Sequence, residues 1–333
     1  MNARTGRSLA FTKYSGAGND FIIVDSRLEP GFSDGSGAAR ALCRRGTSVG
    51  ADGLVLITTE GLAEDLHGRM QLWNADGSAA EFSGNAARCA VRFLADEGLA
   101  PAEVRLQTDV GIVDGVVDGR NVRVTVPGSG RVWPQRRLRV EGRDLVGTYV
   151  LVGVPFFVVL HENPDDLPVR YLGRAIRNHA ELQPAGANVD FVRVDEEQAL
   201  YLRVYERGVE DETLSSGTGS IAAALAAAAA DRVASPVACA AAGGTLMVRF
   251  RPLPPAATEA PETESTQVKA TPAGEPTTAP IDATSEPGDV AGEGAELPRI
   301  AEGSPLEYVD IEVEGDTRRV MTGSAAADAL RTR

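Results

Sequence analysis

The sequence predicts an α/β (α+β) chain of two similar, pseudo-symmetric modules, and three observations carry that prediction. The first is a junction that occurs twice. An apolar strand pattern running from Ala199 to Tyr205 gives way to a polar, acidic turn, and Ser216-Gly217-Thr218-Gly219 then opens the alanine-rich run Ile221–Ala230. Gln71-Leu-Trp-Asn74 and its turn lead in the same way to Ser83-Gly84-Asn85, ahead of the alanine-bearing helix Ala86–Asp96. The second is an echo between Asn19-Asp-Phe-Ile-Ile-Val-Asp25 and Asn188-Val-Asp-Phe-Val-Arg-Val-Asp195, each an Asn leading through apolar residues to an Asp. The third is a series of short alternating runs broken by Gly and Asp turns, the mark of strands that pair largely antiparallel.

Taken in order, Leu9–Tyr14 reads as a strand, Ser15-Gly-Ala-Gly-Asn-Asp20 as a glycine turn and Phe21–Val24 as a second strand. A dinucleotide loop would lead into a helix, so this turn is not one. Ala38–Arg45 has a short helical pattern. Gly46-Thr-Ser-Val-Gly50 spells a hydrolase elbow by letters, yet Ala51–Ile57 after it reads as a strand where an elbow needs a helix. Val104–Gln107, Ile112–Val117 and Val122–Val126 continue the strands of the first half. Arg137–Val140, Thr148–Val152 and Pro155–Leu160 take them into the second, with helical patterns at Val169–Ala180 and Ser220–Val233. Residues 252–305, rich in Pro, Thr, Glu and Ala and without an aromatic, cannot bury enough apolar surface to offset chain entropy and read as a disordered insert. The insert separates two strand patterns, Gly244–Phe250 and Glu307–Val313, and Arg318–Gly323 supplies a last strand. The expected modules are 8–128 and 129–317, the second interrupted by the insert.

Charge and composition exclude several classes. Of the formal net charge of −14, Leu253–Gly303 contributes −8 through ten acidic and two basic residues, and no basic face for nucleic acid remains. The three cysteines, Cys43, Cys89 and Cys239, are odd in number, widely spaced and read as reduced thiols. No apolar core follows the polar start and no run is long enough to span a membrane, so a soluble, cytoplasmic protein is expected. His67, His161 and His179 form no cluster, which leaves a histidine-bound metal or a Ser-His-Asp triad unsupported. Only Lys13 and Lys269 exist, Lys269 lies in the insert, and nothing around Lys13 forms a phosphate cup, so amino-acid chemistry without pyridoxal phosphate or another cofactor is expected.

What remains is the pair of Ser-Gly helix starts. The first N–H groups of a helix lack partners and sit at the positive end of its dipole, so each start is an anion site. Two of them facing one another would hold a small anionic ligand from both sides.

Lys13-Tyr-Ser-Gly-Ala-Gly-Asn-Asp20, Gly50-Ala-Asp-Gly53, Trp73-Asn-Ala-Asp-Gly-Ser78, Gly84-Asn-Ala-Ala-Arg88, Gly186-Ala-Asn188, Val204-Tyr-Glu-Arg-Gly208, Glu212-Thr213, Gly217-Thr-Gly219 and Met321-Thr-Gly323 together resemble the diaminopimelate epimerase family. The resemblance runs in order over almost the whole chain outside the insert. It implies two pseudo-symmetric domains, each a mixed, largely antiparallel strand cage around a central helix, with the C-terminal strand 318–330 returning to the first domain, and a homodimer. It also implies cofactor-independent proton transfer at the α-carbon of a diaminopimelate-like zwitterion, between two thiols on opposite faces. By position, the implied substrate contacts are Asn19, Asn74, Gly84, Asn85, Asn188, Glu206, Arg207, Gly217 and Thr218.

The sequence departs from the family at the reacting positions. Ser83 and Ser216 stand where the catalytic cysteines are expected, and Cys89 matches a separate, non-catalytic cysteine. In Gly153-Val-Pro-Phe156, Phe156 replaces a usual His and Val154 a frequent substrate-binding Asn. A thiol near pKa 8.5 can be tuned toward neutrality at a helix start, whereas a serine hydroxyl stays protonated unless a base activates it. Three readings follow: a slow epimerase using Ser83 and Ser216, a catalytically lapsed amino-acid-binding relative, and a racemase-like protein of altered chemistry such as a dehydratase, with Glu206 or Glu212 as its base.

Overall fold

The structure is a computed structural model that describes residues 8–80, 82–254 and 297–326. Its strands in the first half are β1 (Ser8–Gly16), β2 (Asn19–Asp25), β3 (Gly53–Thr58), β4 (Gly68–Asn74), β5 (Glu103–Thr108), β6 (Gly111–Asp118) and β7 (Asn121–Thr125). The second half holds β8 (Gly130–Val140), β9 (Arg143–Val152), β10 (Val154–Leu160), β11 (Asn188–Val194), β12 (Leu200–Glu206), the short β13 (Asp211–Thr213), β14 (Val237–Ala241), β15 (Gly244–Leu253) and β16 (Leu306–Ala326). Pairing runs β1 through β7, then β16, β15, β14, β12, β11, β10, β9 and β8, with β16 also pairing β1 and β8. The sheet is thereby closed twice, and β16 is a wall of both barrels.

The two barrels repeat one pattern. β2 runs parallel to β3, β3 antiparallel to β4, and β4 parallel to β5. β10, β11, β12 and β14 show the same sequence of senses. Barrel closure is reciprocal. β8, which follows the first module, pairs β9 and β16 in the second barrel, while Thr317–Ala326 at the end of the second module pairs β1 in the first. The echo between Asn19–Asp25 and Asn188–Asp195 therefore does not join equivalent strands: β2 corresponds to β10, and β11 to β3.

A helix fills each barrel. α2 (Gly84–Asp96) and α4 (Gly217–Ala229) lie inside, whereas α1 (Gly35–Leu42) and α3 (Val169–Arg177) pack on the outside against β3–β4 and β11–β12. A barrel of about eight strands has little room beyond its own side chains, so a helix of about 10 Å diameter fits most readily where its residues are small, as in α4. That explains the composition: every residue of α4 from Gly217 to Ala227 is buried, and a helix apolar all round belongs in a core. Both interior helices share one continuous apolar cluster.

Several expected boundaries move. The helix expected at Ala38–Arg45 begins at Gly35, because the Asp34 carboxylate caps it by accepting from Gly37 N at 2.7 Å. The helix expected at Val169–Ala180 stops at Arg177. β14 is an unforeseen strand, short and alanine-rich without a β-branched signal beyond Val237. β8 and β9 are longer than expected and meet at Glu141-Gly142, both in the left-handed region. The two strands expected at Glu307–Val313 and Arg318–Gly323 are one: the charged stretch between them carries no apolar pattern, but β7 supplies its ladder partners. Of the insert expected over 252–305, residues 255–296 lie outside the described residues, as do 327–330 of the returning strand. Its margins are ordered: Pro252 and Leu253 pair with Tyr308 and Glu307, and Arg299–Ala301 form a 3-10 turn whose Ile300 and Ala301 are buried in the cluster that holds Trp133. Among the described residues no helix is long and apolar enough to cross a membrane.

Candidate active site

The interior helices start at the same place. Ser83 and Ser216 are their N-caps, both extended in backbone, with side-chain oxygens that accept from Ala86 N at 3.3 Å and Gly219 N at 3.1 Å. The two first turns touch: a Cβ on Gly84 would stand 3.9 Å from Gly217 Cα. Only glycine lets two helix starts approach so closely. Above this contact lies a cavity of about 320 Å³, lined by both serines and by residues of both barrels. N–H groups without helical partners thus converge on one space from two directions.

Of the expected site residues, Asn19, Asn74, Ser83, Asn188, Glu206, Arg207, Ser216, Gly217 and Thr218 line the cavity, and Gly84 and Asn85 do not. Gly84 is turned toward Gly217 and Val313. The Asn85 side chain, 1% exposed, is drawn beneath the floor: its Nδ2 donates to Asn19 Oδ1 at 3.2 Å and its Oδ1 accepts from Arg88 Nη2 at 2.8 Å. Asn85 therefore acts on the cavity through Asn19.

The first barrel's side of the cavity is held by a polar chain. Asn19 Nδ2 donates to Asp52 Oδ2 at 2.5 Å, and Arg45 Nη2 donates to Asp52 Oδ1 at 2.7 Å and Asp20 Oδ1 at 2.6 Å. Lys13, the one lysine among the described residues, pairs with Asp20 at 2.7 Å. Burial works against ionisation of Asp20, but hydrogen bonds from Arg45 and Lys13 outweigh it and hold the carboxyl below its usual range. The amide of Asn19 is thereby fixed in orientation, its oxygen to Asn85 and its nitrogen to Asp52. Asn74 is set by its own turn, donating from Nδ2 to Ser78 Oγ at 2.9 Å.

On the second barrel's side, Asn188 Oδ1 accepts from Arg207 N at 2.8 Å and its Nδ2 donates to Pro155 O at 3.2 Å. Arg207 Nη1 donates to Ala185 O at 3.2 Å. Glu206, half-buried, accepts from Thr213 Oγ1 at 2.5 Å. Burial pushes its carboxyl up to about 7; the Thr213 bond opposes this and the Asp52 charge adds to it. Glu212, the other carboxylate considered as a base, is engaged by Arg203 at 2.7 Å and does not line this cavity.

Val154 lines the cavity, whereas Phe156 is fully buried in the core behind it. Cys89 is buried inside α2, its thiol pushed by burial up to about 12, and does not reach the cavity. Asp52, Ser78 and Thr213 are lining residues that the sequence reading left out of the site. Each stands within a quoted motif, Gly50-Ala-Asp-Gly53, Trp73–Ser78 or Glu212-Thr213, so the signal was present. Among the described residues no group of three or more His, Cys, Asp or Glu could hold a metal ion.

Comparisons with known proteins place the chain in a family and a fold. The family model described as diaminopimelate epimerase matches residues 11–127 and 148–252. A diaminopimelate epimerase of Aquifex aeolicus is 40% identical over 226 residues, covering 65% of this chain and 80% of its own length. That of Moorella thermoacetica is 34% identical over 261 residues, covering 73% and 92%. Among solved structures, a hydroxyproline epimerase from Agrobacterium vitis superposes with a TM-score of 0.64 at 14% identity, over 98% of this chain and 94% of that one. A Bacillus anthracis protein of the PhzF family superposes with a TM-score of 0.59 at 13% identity, over 96% and 99%. The structural likenesses show a shared fold.

Proposed function

Because the chain belongs to the diaminopimelate epimerase family, we propose that it inverts the α-carbon of a diaminopimelate-type amino acid by moving a proton across the cavity, with Ser83 on one face and Ser216 on the other. The observation that carries this reading is the convergence of two serine-capped helix starts on one cavity. The α-carboxylate sits on the bare N–H groups of both first turns, which the two dipoles favour. Arg207 and the Asn19, Asn74 and Asn188 amides recognise the remaining polar groups of the zwitterion, Arg207 by the charge-assisted bonds that suit a carboxylate.

Glu206 is the lining carboxylate whose ionisation falls near neutrality, so it is the group able to draw a proton from a cavity hydroxyl or ammonium at working pH. A serine so assisted still loses its proton far less readily than a cysteine, and the reaction is slow. No cofactor enters the scheme. The division into 8–128 with 318–330 and 129–317, a homodimeric state, a cytoplasmic location and a place in lysine biosynthesis complete the reading; the returning strand, the dimer and the pathway rest on the family resemblance, the two-module division and the location on the residue pattern.

The test is α-proton exchange. Purified protein incubated with LL- or meso-diaminopimelate in D₂O should acquire α-deuterium, orders of magnitude more slowly than a two-thiol relative. Exchange at the relative's own rate would refute the argument from hydroxyl acidity. Binding in calorimetry without any exchange would leave the lapsed amino-acid-binding reading in its place.

A further inference from the structure

Beneath Ser216 lies an acid that nothing in the fold requires. Asp190 sits on β11 with its side chain turned inward, fully buried, and neither carboxyl oxygen has a hydrogen-bond partner. Its ladder neighbours on both sides are valines, Val158 of β10 and Val204 of β12. The space it occupies exists because residue 219 is a glycine. A Cβ there would stand 3.3 Å from Asp190 Oδ1 and 3.1 Å from Ser216 Oγ, so the two oxygens flank one side-chain-free position of the α4 first turn. Burying an unpaired polar group is destabilising, and a valine or alanine would fill this site without that penalty.

The titratable groups that face Asp190 are Glu206 on β12 and Cys239 on β14. Neither is a cation, so burial, and then the Glu206 charge, keeps the Asp190 carboxyl neutral well above the usual carboxylate range. The first barrel carries the opposite arrangement: Arg88, fully buried in α2, has Nε and Nη1 without a partner. The face of the cavity that ends in Ser83 is backed by an uncompensated cation, and the face that ends in Ser216 by an uncompensated acid.

We propose that Asp190 is the proton store of the Ser216 face, a positioning and relay residue that resupplies the Ser216 hydroxyl. In one direction Ser216 gives its proton to the substrate carbanion, whose electron pair becomes the new Cα–H bond. As the Ser216 O–H bond breaks, the Asp190 O–H bond breaks in turn, the Ser216 O–H bond re-forms, and Asp190 is left as carboxylate. In the reverse direction, which starts from the Asp190 carboxylate that the forward step leaves, Ser216 takes the α-proton and Asp190 takes the Ser216 proton, so the two protonation states of Asp190 serve the two directions and atoms and charge balance without a co-reactant. In the resting structure Ser216 Oγ accepts from Gly219 N, and the relay requires the hydroxyl to turn toward Asp190.

This inference rests on the proposed epimerase chemistry, and two measurements separate them. The first is infrared difference spectroscopy on the full chain. In a Glu206→Gln background, which removes the carboxyl that is half protonated near pH 7, a carboxylic-acid C=O band should be present at neutral pH, disappear in Asp190→Asn and shift in Ser216→Ala. A missing band, or one indifferent to Ser216→Ala, overturns the store whatever the activity. The second is α-deuterium exchange from diaminopimelate: Asp190→Asn should slow it about 10²-fold with KM changed less than about twofold, and Asp190→Glu should restore part of the rate. Exchange unaffected by Asp190→Asn refutes the relay. A wild-type chain that does not exchange refutes the proposed function, while the infrared response to Ser216→Ala still decides whether Asp190 and Ser216 share a proton.

Discussion

Gly217 rests on Asn85: a Cβ added to Gly217 would stand 2.9 Å from Asn85 Oδ1 and 3.1 Å from Asn85 N. The first turn of one interior helix is therefore seated on the first turn of the other, through the side chain that also holds Asn19. Gly217→Ala must push the helix starts apart or displace the Asn85 amide. The expected cost is about 1–3 kcal/mol of stability together with weaker binding of diaminopimelate. Gly84→Ala is the internal control, because its Cβ meets Val313 Cγ1 at 3.4 Å and Gly217 at 3.9 Å. Thermal melts and calorimetry on both variants check this, and equal damage from the two would contradict the geometry.

Restoring sulfur should separate activity from stability. Ser83→Cys with Ser216→Cys supplies groups that a helix start can ionise, so α-deuterium exchange should rise by orders of magnitude over the parent. Both serines are also helix caps, and a thiol accepts hydrogen bonds poorly. The double variant should lose about 1 kcal/mol per cap, seen as a lower Tm. Faster exchange with a lower Tm is the expected pair of results.

Glu206 gives the protein a pH signature of definite sign. Burial first, and the Asp52 charge with it, raises its carboxyl from 4.5 to about 7, against the Thr213 hydrogen bond. Between those values the unfolded chain has released the proton and the folded chain retains it, so stability falls as pH rises through that window. Glu206→Gln should flatten the fall in a series of denaturant titrations. Over the same range the ionised fraction grows, so exchange should climb through about pH 7 in the parent and lose that limb in Glu206→Gln.

Arg88 tests the chain beneath the floor. Burial lowers its guanidinium pKa to about 10, and its Nη2 donates to the Asn85 side chain. Replacing a buried, poorly compensated charge by an apolar group of similar volume is often neutral or stabilising. Arg88→Met should therefore fold with little change in Tm, yet weaken diaminopimelate binding about tenfold because Asn85 and Asn19 lose their fixed orientation. Calorimetry beside a thermal melt reads both. A collapse of stability with intact affinity would reverse the assignment.

Much of the site was legible in the residues alone. Small residues behind Ser83 and Ser216 declared two helix starts, and the structure puts both serines on one cavity. Spacing alone misaligned the repeat, because Asn19 and Asn188 reach the same cavity from strands in different places of the two modules. The join at Glu314–Arg319 was invisible for another reason: its charged residues carry no alternation, and strand pairing there comes from partners far away in sequence. Asp190 looked like one more polar residue at the head of a strand. What distinguishes it is the lack of any hydrogen-bond partner, a property of the packed interior.

The strand that closes the first barrel follows all the others in the chain. β1 to β7 can be synthesised and partly paired, but the gap between β7 and β1 is filled only by Glu312–Ala326. The N-terminal module thus waits on the ribosome as an unsealed cylinder, its interior helix exposed along one side, until β16 has emerged. The second barrel takes its early strand β8 from the linker that follows the first module and faces a shorter delay. Deleting the end of β16 should therefore damage the far end of the sequence, and a circular permutant that begins at β16 would let the first cylinder seal as soon as it is born.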